Sequence, residues 1–133
     1  MPLVTIDLLR GRSCQELDAI SSAVHRAMVE LLDVPERDRL QIITEHEPRS
    51  LRFDPGYLDI DRDPSFILVR ITLATGRATD AKRAFYTRLC QLLVDRVHLR
   101  PEDLAVIMTE NHREDWSFGR GQASYLELPR APW

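Results

Sequence analysis

Alternation opens the chain. Val4, Ile6 and Leu8 fall on one face of an extended segment and Leu3, Thr5 and Asp7 on the other, which predicts a strand from Pro2 to Leu9. Arg10-Gly11-Arg12 breaks it, and Ser13-Cys14-Gln15-Glu16 reads as a capping box, with serine at the N-cap and glutamate three residues on. The apolar period then becomes helical: Leu17, Ile20, Val24, Ala27, Met28 and Leu31 cover one face of a helix running to about Leu32. Residues 33–38 form a turn in which Pro35 can open a short helical turn. A second strand follows, Leu40 to Glu45.

Residues 47–64 carry Pro48, Pro55, Gly56 and Pro64 and make the longest irregular stretch. A loop of this length in a compact domain reads as a short extra hairpin, which Leu51-Arg52-Phe53 would supply, or as part of a functional rim. The first pattern then returns. Residues 66–73 are the most strand-like run in the chain, too apolar for an exposed edge. After a loop at 74–78, Thr79 is expected to cap a second long helix reaching about Val97, with Ala81, Phe85, Leu89 and Leu92 as its buried stripe. A proline turn at 99–103 leads to a strand from Leu104 to Thr109.

The joints Pro35-Glu36-Arg37-Asp38-Arg39-Leu40 and Pro101-Glu102-Asp103-Leu104 look like two copies of one feature, each linking a long helix to an apolar strand. The expected fold is therefore α/β (α+β): two tandem β-α-β units, residues 1–46 and 65–110, forming a four-stranded sheet with both helices on one face. That leaves the other face bare, and oligomerisation in a closed ring would cover it. Residues 111–133 form a tail unlike the rest, with Trp116 and Phe118 set among charges and glycines and a short possible strand at 123–128. Aromatics so placed wall a pocket or plug a neighbouring subunit; spacing alone leans to the second.

Composition narrows the function classes. A chain of 133 residues fits one domain with a real core, and 44% apolar with 29% charged residues is a soluble globular balance. A net charge of −3 and a pI near 5.8 argue against nucleic acid as a partner. No apolar run is long enough for a signal peptide or membrane span. Cys14 and Cys90 form no C-x-x-C pair, so they read as reduced thiols of a cytoplasmic protein. Glu45-His46-Glu47 has the composition of half a metal site, but a polar strand end explains it better.

The amino terminus is the candidate for chemistry. Met-Pro is a start from which the initiator methionine is usually trimmed, and Pro2 would then be a free secondary amine held by the first strand. An α-amino group titrates at about 7.7–8.0 before perturbation, so it can serve as base, acid or iminium-forming nucleophile. Many chains begin this way with no chemistry there, and the start alone decides nothing.

Four stretches together carry a resemblance: Pro2-Leu3-Val4-Thr5-Ile6-Asp7-Leu8 with Gly11-Arg12; Val34-Pro35-Glu36-Arg37-Asp38-Arg39; Arg77; and Glu114-Asp115-Trp116-Ser117-Phe118-Gly119-Arg120-Gly121. From Pro2 to about Leu128 the chain resembles the tautomerase superfamily, and within it the malonate semialdehyde decarboxylase group. The resemblance implies a duplicated β-α-β fold, a homotrimer, an amino-terminal proline at the centre of each active site and no metal or organic cofactor. It makes Pro2, Asp38 and Arg77 the catalytic candidates, with Trp116 and Phe118 as an apolar wall and Tyr125 as a further substrate-binding candidate. The group carries two arginines on the loop after the third strand, whereas this chain has Ala74-Thr75-Gly76-Arg77 there. Arg70 and Arg120 are the candidates for the missing role; strand position and surface solvation account for them equally well.

The chemistry is coherent. Arg77 can grip a small oxo acid's carboxylate with a two-pronged hydrogen bond. Beside an aspartate Pro2 tends to stay protonated, which suits decarboxylation; in an apolar pocket beside an arginine it tends to lose its proton, which suits keto–enol tautomerisation of a phenylpyruvate-type substrate. Hydration of acetylenic or haloacrylic acids is a third possibility. A different class also fits the pattern, since tandem β-α-β units build non-catalytic trimeric ligand-binding or interaction modules.

Overall fold

The structure, a computed structural model, describes residues 1–128. Strand β1 (Leu3–Leu9), helix α1 (Cys14–Leu31) and strand β2 (Leu40–His46) form the first unit; β3 (Ile67–Ala74), α2 (Thr79–Val97) and β4 (Leu104–Asn111) form the second. The strands make one mixed sheet in the order β2-β1-β3-β4. Each unit pairs its own strands in parallel, and the two units meet through antiparallel β1 and β3. This is the architecture expected from the sequence.

The alternation in β1 sorts its side chains as predicted. Val4, Ile6 and Leu8 are buried with Ile67, Val69, Ile71 and Leu73 of β3, under Ile20, Val24, Ala27 and Met28 of α1 and Phe85, Leu89 and Leu93 of α2. Ser13 caps α1, its Oγ accepting from the Glu16 amide at 3.2 Å. Helix α2 starts differently from expectation. Ala78 is the N-cap, its carbonyl accepting from the Lys82 amide at 3.2 Å, and Thr79 already lies inside the helix with no capping bond. Asp80 in the first turn still favours the start through the helix dipole.

Two local expectations are corrected. Leu51-Arg52-Phe53 makes no hairpin; a 3₁₀ turn at Tyr57–Asp59 stands in this stretch, and Phe53 packs on Phe66 with ring centroids 4.5 Å apart. Pro48, Pro55 and Pro64 remove amide donors that a ladder would need, and Asp54 Oδ1 closes the turn on the Gly56 amide at 2.7 Å. The expected strand at 123–128 is a short helix, α3 (Ser124–Glu127). Its amides bond locally, Glu127 to the Ala123 carbonyl at 3.0 Å and Leu128 to that of Ser124 at 3.1 Å. Residues 129–133 of the expected tail lie outside the described residues.

Among the described residues, nothing covers the sheet face away from the helices. Ile42, Thr5, Arg70 and Ile107 lie in register across it, and Ile42 and Ile107 are 50% and 52% exposed. Asp7 on this face is buried between His46 Nε2 at 2.7 Å and Arg70 Nη2 at 2.9 Å. Burial pushes its carboxyl up, but the hydrogen bonds from His46 and Arg70 outweigh that and hold it below the usual range.

Candidate active site

The amino terminus, the loop before α2 and the segment after β4 converge on one cavity of about 470 Å³. Met1, Pro2, Ala74, Arg77, Arg113 and Tyr125 are among its lining residues. Pro2 is buried and sits immediately before β1, whose ladders to both neighbours begin at Leu3. The Met1 ammonium marks the amine end and stands in for the secondary amine that Pro2 would carry once exposed. It donates to the Tyr125 hydroxyl and lies 3.5 Å from Asp38 Oδ2. Asp38 is fixed by the proline turn before β2, its amide donating to the Pro35 carbonyl at 2.9 Å. Burial pushes the amine's pKa down, Asp38 opposes that by charge and hydrogen bond, and the nearby Arg77 lowers it further; the net shift is downward.

Arg77 follows Gly76, whose φ of +129° turns the chain from β3 towards α2. Its Nε donates to the Leu32 carbonyl at 3.1 Å and its Nη1 to the Ala74 carbonyl at 2.8 Å. Held this way the guanidinium is set against the cavity as a fixed cation. A carboxylate entering there would find a planar donor already oriented.

The aromatics are arranged in depth. Tyr125 reaches the cavity, and Trp116 and Phe118 stack on each other behind it at 5.4 Å, each meeting the Tyr125 ring edge-on. Trp116 is anchored by Nε1 donating to Asn111 Oδ1 at 2.7 Å, and the Ser124 amide returns to the Trp116 carbonyl at 3.0 Å. The structure thus brings together Pro2, Asp38, Arg77 and Tyr125, and puts Trp116 and Phe118 behind the tyrosine. Arg70 is not among them: it lies on the open sheet face, paired with Asp7. Arg120 is exposed between Gly119 and Gly121, outside the cavity lining. Sequence reasoning missed Asp33 and Arg113, which line the cavity. Both are set by backbone turns, Asp33 at a φ of +52° and Arg113 in the 3₁₀ turn after β4, which no periodicity announces.

Comparison with known proteins gives the family. Two sequence models of tautomerase enzymes match, one over residues 38–119 and one over residues 2–58. The chain belongs to the tautomerase family. It is 36% identical to the probable tautomerase YusQ of Bacillus subtilis, covering 96% of this chain and all of that one, and 33% identical to the probable tautomerase YrdN of the same organism, covering 95% and 97%. Among solved structures it is similar to a malonate semialdehyde decarboxylase, studied as a basis for decarboxylase and hydratase activities, at 32% identity and a TM-score of 0.87 over 93% of this chain and 95% of that one. A second malonate semialdehyde decarboxylase, inhibited by 3-bromopropiolate, aligns at 34% identity and 0.86 over 96% and 99%. The chain is thus an enzyme of a family named for tautomerase activity. Among the described residues, no helix is long and apolar enough to cross a membrane.

Proposed function

We propose that this enzyme acts on small oxo acids through the amine of Pro2, exposed by loss of Met1, and that its reaction is decarboxylation of the malonate semialdehyde type, without a cofactor. The observation that carries this reading is the 3.5 Å contact between Asp38 and the Met1 amine, one residue before Pro2, beside a cavity that Pro2 and Arg77 line. Similarity over nearly the full chain to two decarboxylases supports it.

In this reading Arg77 holds the substrate carboxylate while protonated Pro2 donates to the carbonyl oxygen. The carbon–carbon bond to the carboxylate breaks, carbon dioxide leaves, and its electron pair passes to the polarised carbonyl as an enol. The enol carbon then takes a proton from solvent water while the hydroxyl proton returns to Pro2, giving acetaldehyde and restoring the protonated amine. Asp38 keeps the amine charged, and the Trp116–Phe118 stack behind Tyr125 limits water at that side of the cavity.

A second reading has one observation in its favour. The amine's pKa is shifted downward on balance, which enlarges the neutral fraction that a keto–enol tautomerase would use as a base. Two curated relatives are themselves named as probable tautomerases. Proton NMR of the enzyme with malonate semialdehyde, phenylpyruvate, and acetylenic or haloacrylic acids separates the readings. Release of acetaldehyde from malonate semialdehyde at a rate exceeding phenylpyruvate ketonisation supports the first; the reverse order overturns it.

A homotrimer is part of the same reading. The open sheet face, with Leu40, Ile42 and Ile107 exposed, gives it a physical motive. A cytoplasmic location goes with it, motivated by Cys14 and Cys90 as free thiols.

A further inference from the structure

Two arginines line the active-site cavity, and neither has a carboxylate partner among the described residues. Half-buried arginines elsewhere are neutralised: Arg12 by Glu16 at 3.9 Å, Arg88 by Glu30 at 2.7 Å and Arg100 by Asp63 at 3.2 Å. Arg62 is held by loop carbonyls instead, away from this cavity. At the cavity the amine, Arg77 and Arg113 are set, among the described residues, against Asp38 and Asp33, so cations are in excess there. Positive charge confined beside a low-dielectric wall attracts an anion.

Arg113 is held in place without being used up. Its Nη2 donates to the Tyr125 carbonyl at 3.3 Å, and its guanidinium carbon lies 5.4 Å from the centre of the Tyr125 ring. A guanidinium carries five N–H donors in a planar fork, so one bond and a nearby ring leave donors over. Arg77 comes from the loop before α2 and Arg113 from the turn after β4, so the two approach the cavity from different elements. Arg77 is among the charges that shift the amine, and Arg113 is not.

We propose that Arg113 is a second substrate-binding arginine, holding the anionic end of a small oxo acid together with Arg77. This rests on the oxo-acid reading of the cavity. Its role is to bind substrate, leaving the amine's protonation to Asp38 and Arg77.

The test uses malonate as an unreactive anionic probe and malonamide as its neutral counterpart, with binding read by calorimetry on the full chain. Arg113→Gln is expected to lower the preference for malonate over malonamide roughly tenfold to a hundredfold, the range of a charge-assisted contact, and Arg113→Lys to retain most of it. A purely structural role would weaken both probes alike. The pH at which the terminal amine titrates should stay unchanged in Arg113→Gln and move upward in Arg77→Gln. If Arg113→Gln does not fold, Arg113→Met against Arg113→Lys makes the same charge comparison with the side-chain stem kept over Tyr125. A malonate preference within about threefold of the unaltered chain, under 1 kcal/mol, overturns the proposal. If Arg77→Gln loses the preference and Arg113→Gln does not, only the role of Arg113 falls; if neither loses it, the oxo-acid reading falls as well.

Discussion

Arg12 and Arg77 occupy the same place in the two β-α-β units. Each follows a glycine of positive φ, +133° at Gly11 and +129° at Gly76, and each precedes the N-cap of its unit's helix. Each lines a cavity of similar size, about 480 Å³ at Arg12 and about 470 Å³ at Arg77. The ends differ in what stands before the strand. Met1 lies two residues before β1 and offers an amine, whereas Ser65 lies two residues before β3 and offers a carbonyl, to which Arg12 Nη2 donates at 2.7 Å. The two units thus set equivalent arginines beside cavities of similar size, and the Met1 amine lines the one at Arg77.

Arg12→Ala should therefore leave turnover within about threefold of the unaltered enzyme while costing stability. The contact to Ser65 is charge-assisted but sits at a solvent-facing cavity, so about 1 kcal/mol is expected, or a few degrees in Tm. Thermal melting beside a steady-state assay checks both; a large loss of turnover would mean the second cavity takes part.

Arg77→Ala should mainly raise KM, with a further loss in kcat if its grip tightens in the transition state. A charge-assisted contact of roughly 1.5–3 kcal/mol corresponds to a tenfold to hundredfold drop in kcat/KM. An unchanged KM would remove Arg77 from the carboxylate site.

The asymmetry between the ends bears on what the sequence could tell. Strand and helix periods in residues 3–31 and 67–97 were legible because each element buries one face, and the repeated proline joints exposed the duplication. Asp38 and Arg77 were legible through motifs. Arg113 was not, because its position follows from the turn after β4 and from the way the short helix α3, which carries Tyr125, folds back on that turn. For Arg70 strand position is the account the structure shows: on β3 it alternates to the open face, where Asp7 holds it 2.9 Å away.

Asp38→Asn removes the charge that raises the amine's pKa, so the amine should titrate at lower pH. A decarboxylase that needs protonated Pro2 would lose activity with rising pH, and in this variant the falling limb should move to lower pH. A tautomerase that needs neutral Pro2 would gain activity with rising pH, with the rising limb displaced in the same direction. The pH profile of kcat/KM distinguishes them, and an unmoved profile would show that Asp38 does not set the amine's charge.

Ile42→Glu with Ile107→Glu places charges on the open sheet face without touching the helix-covered core. The pair should shift a trimer towards monomer in sedimentation velocity while the helical circular dichroism is retained. A chain that sediments as a monomer before substitution would contradict the trimer.

The most direct test of the account is Pro2→Ala, assayed after intact-mass analysis has established that Met1 is absent from both proteins. Strand β1 keeps Val4, Ile6 and Leu8 in the core, so melting should be nearly unchanged. Replacing the secondary amine by a primary one outside the fixed ring should lower kcat/KM for the best oxo acid by at least about a hundredfold, close to 3 kcal/mol in the barrier. Activity within about threefold of the unaltered enzyme, or full activity with Met1 still attached, would contradict an amino-terminal proline mechanism.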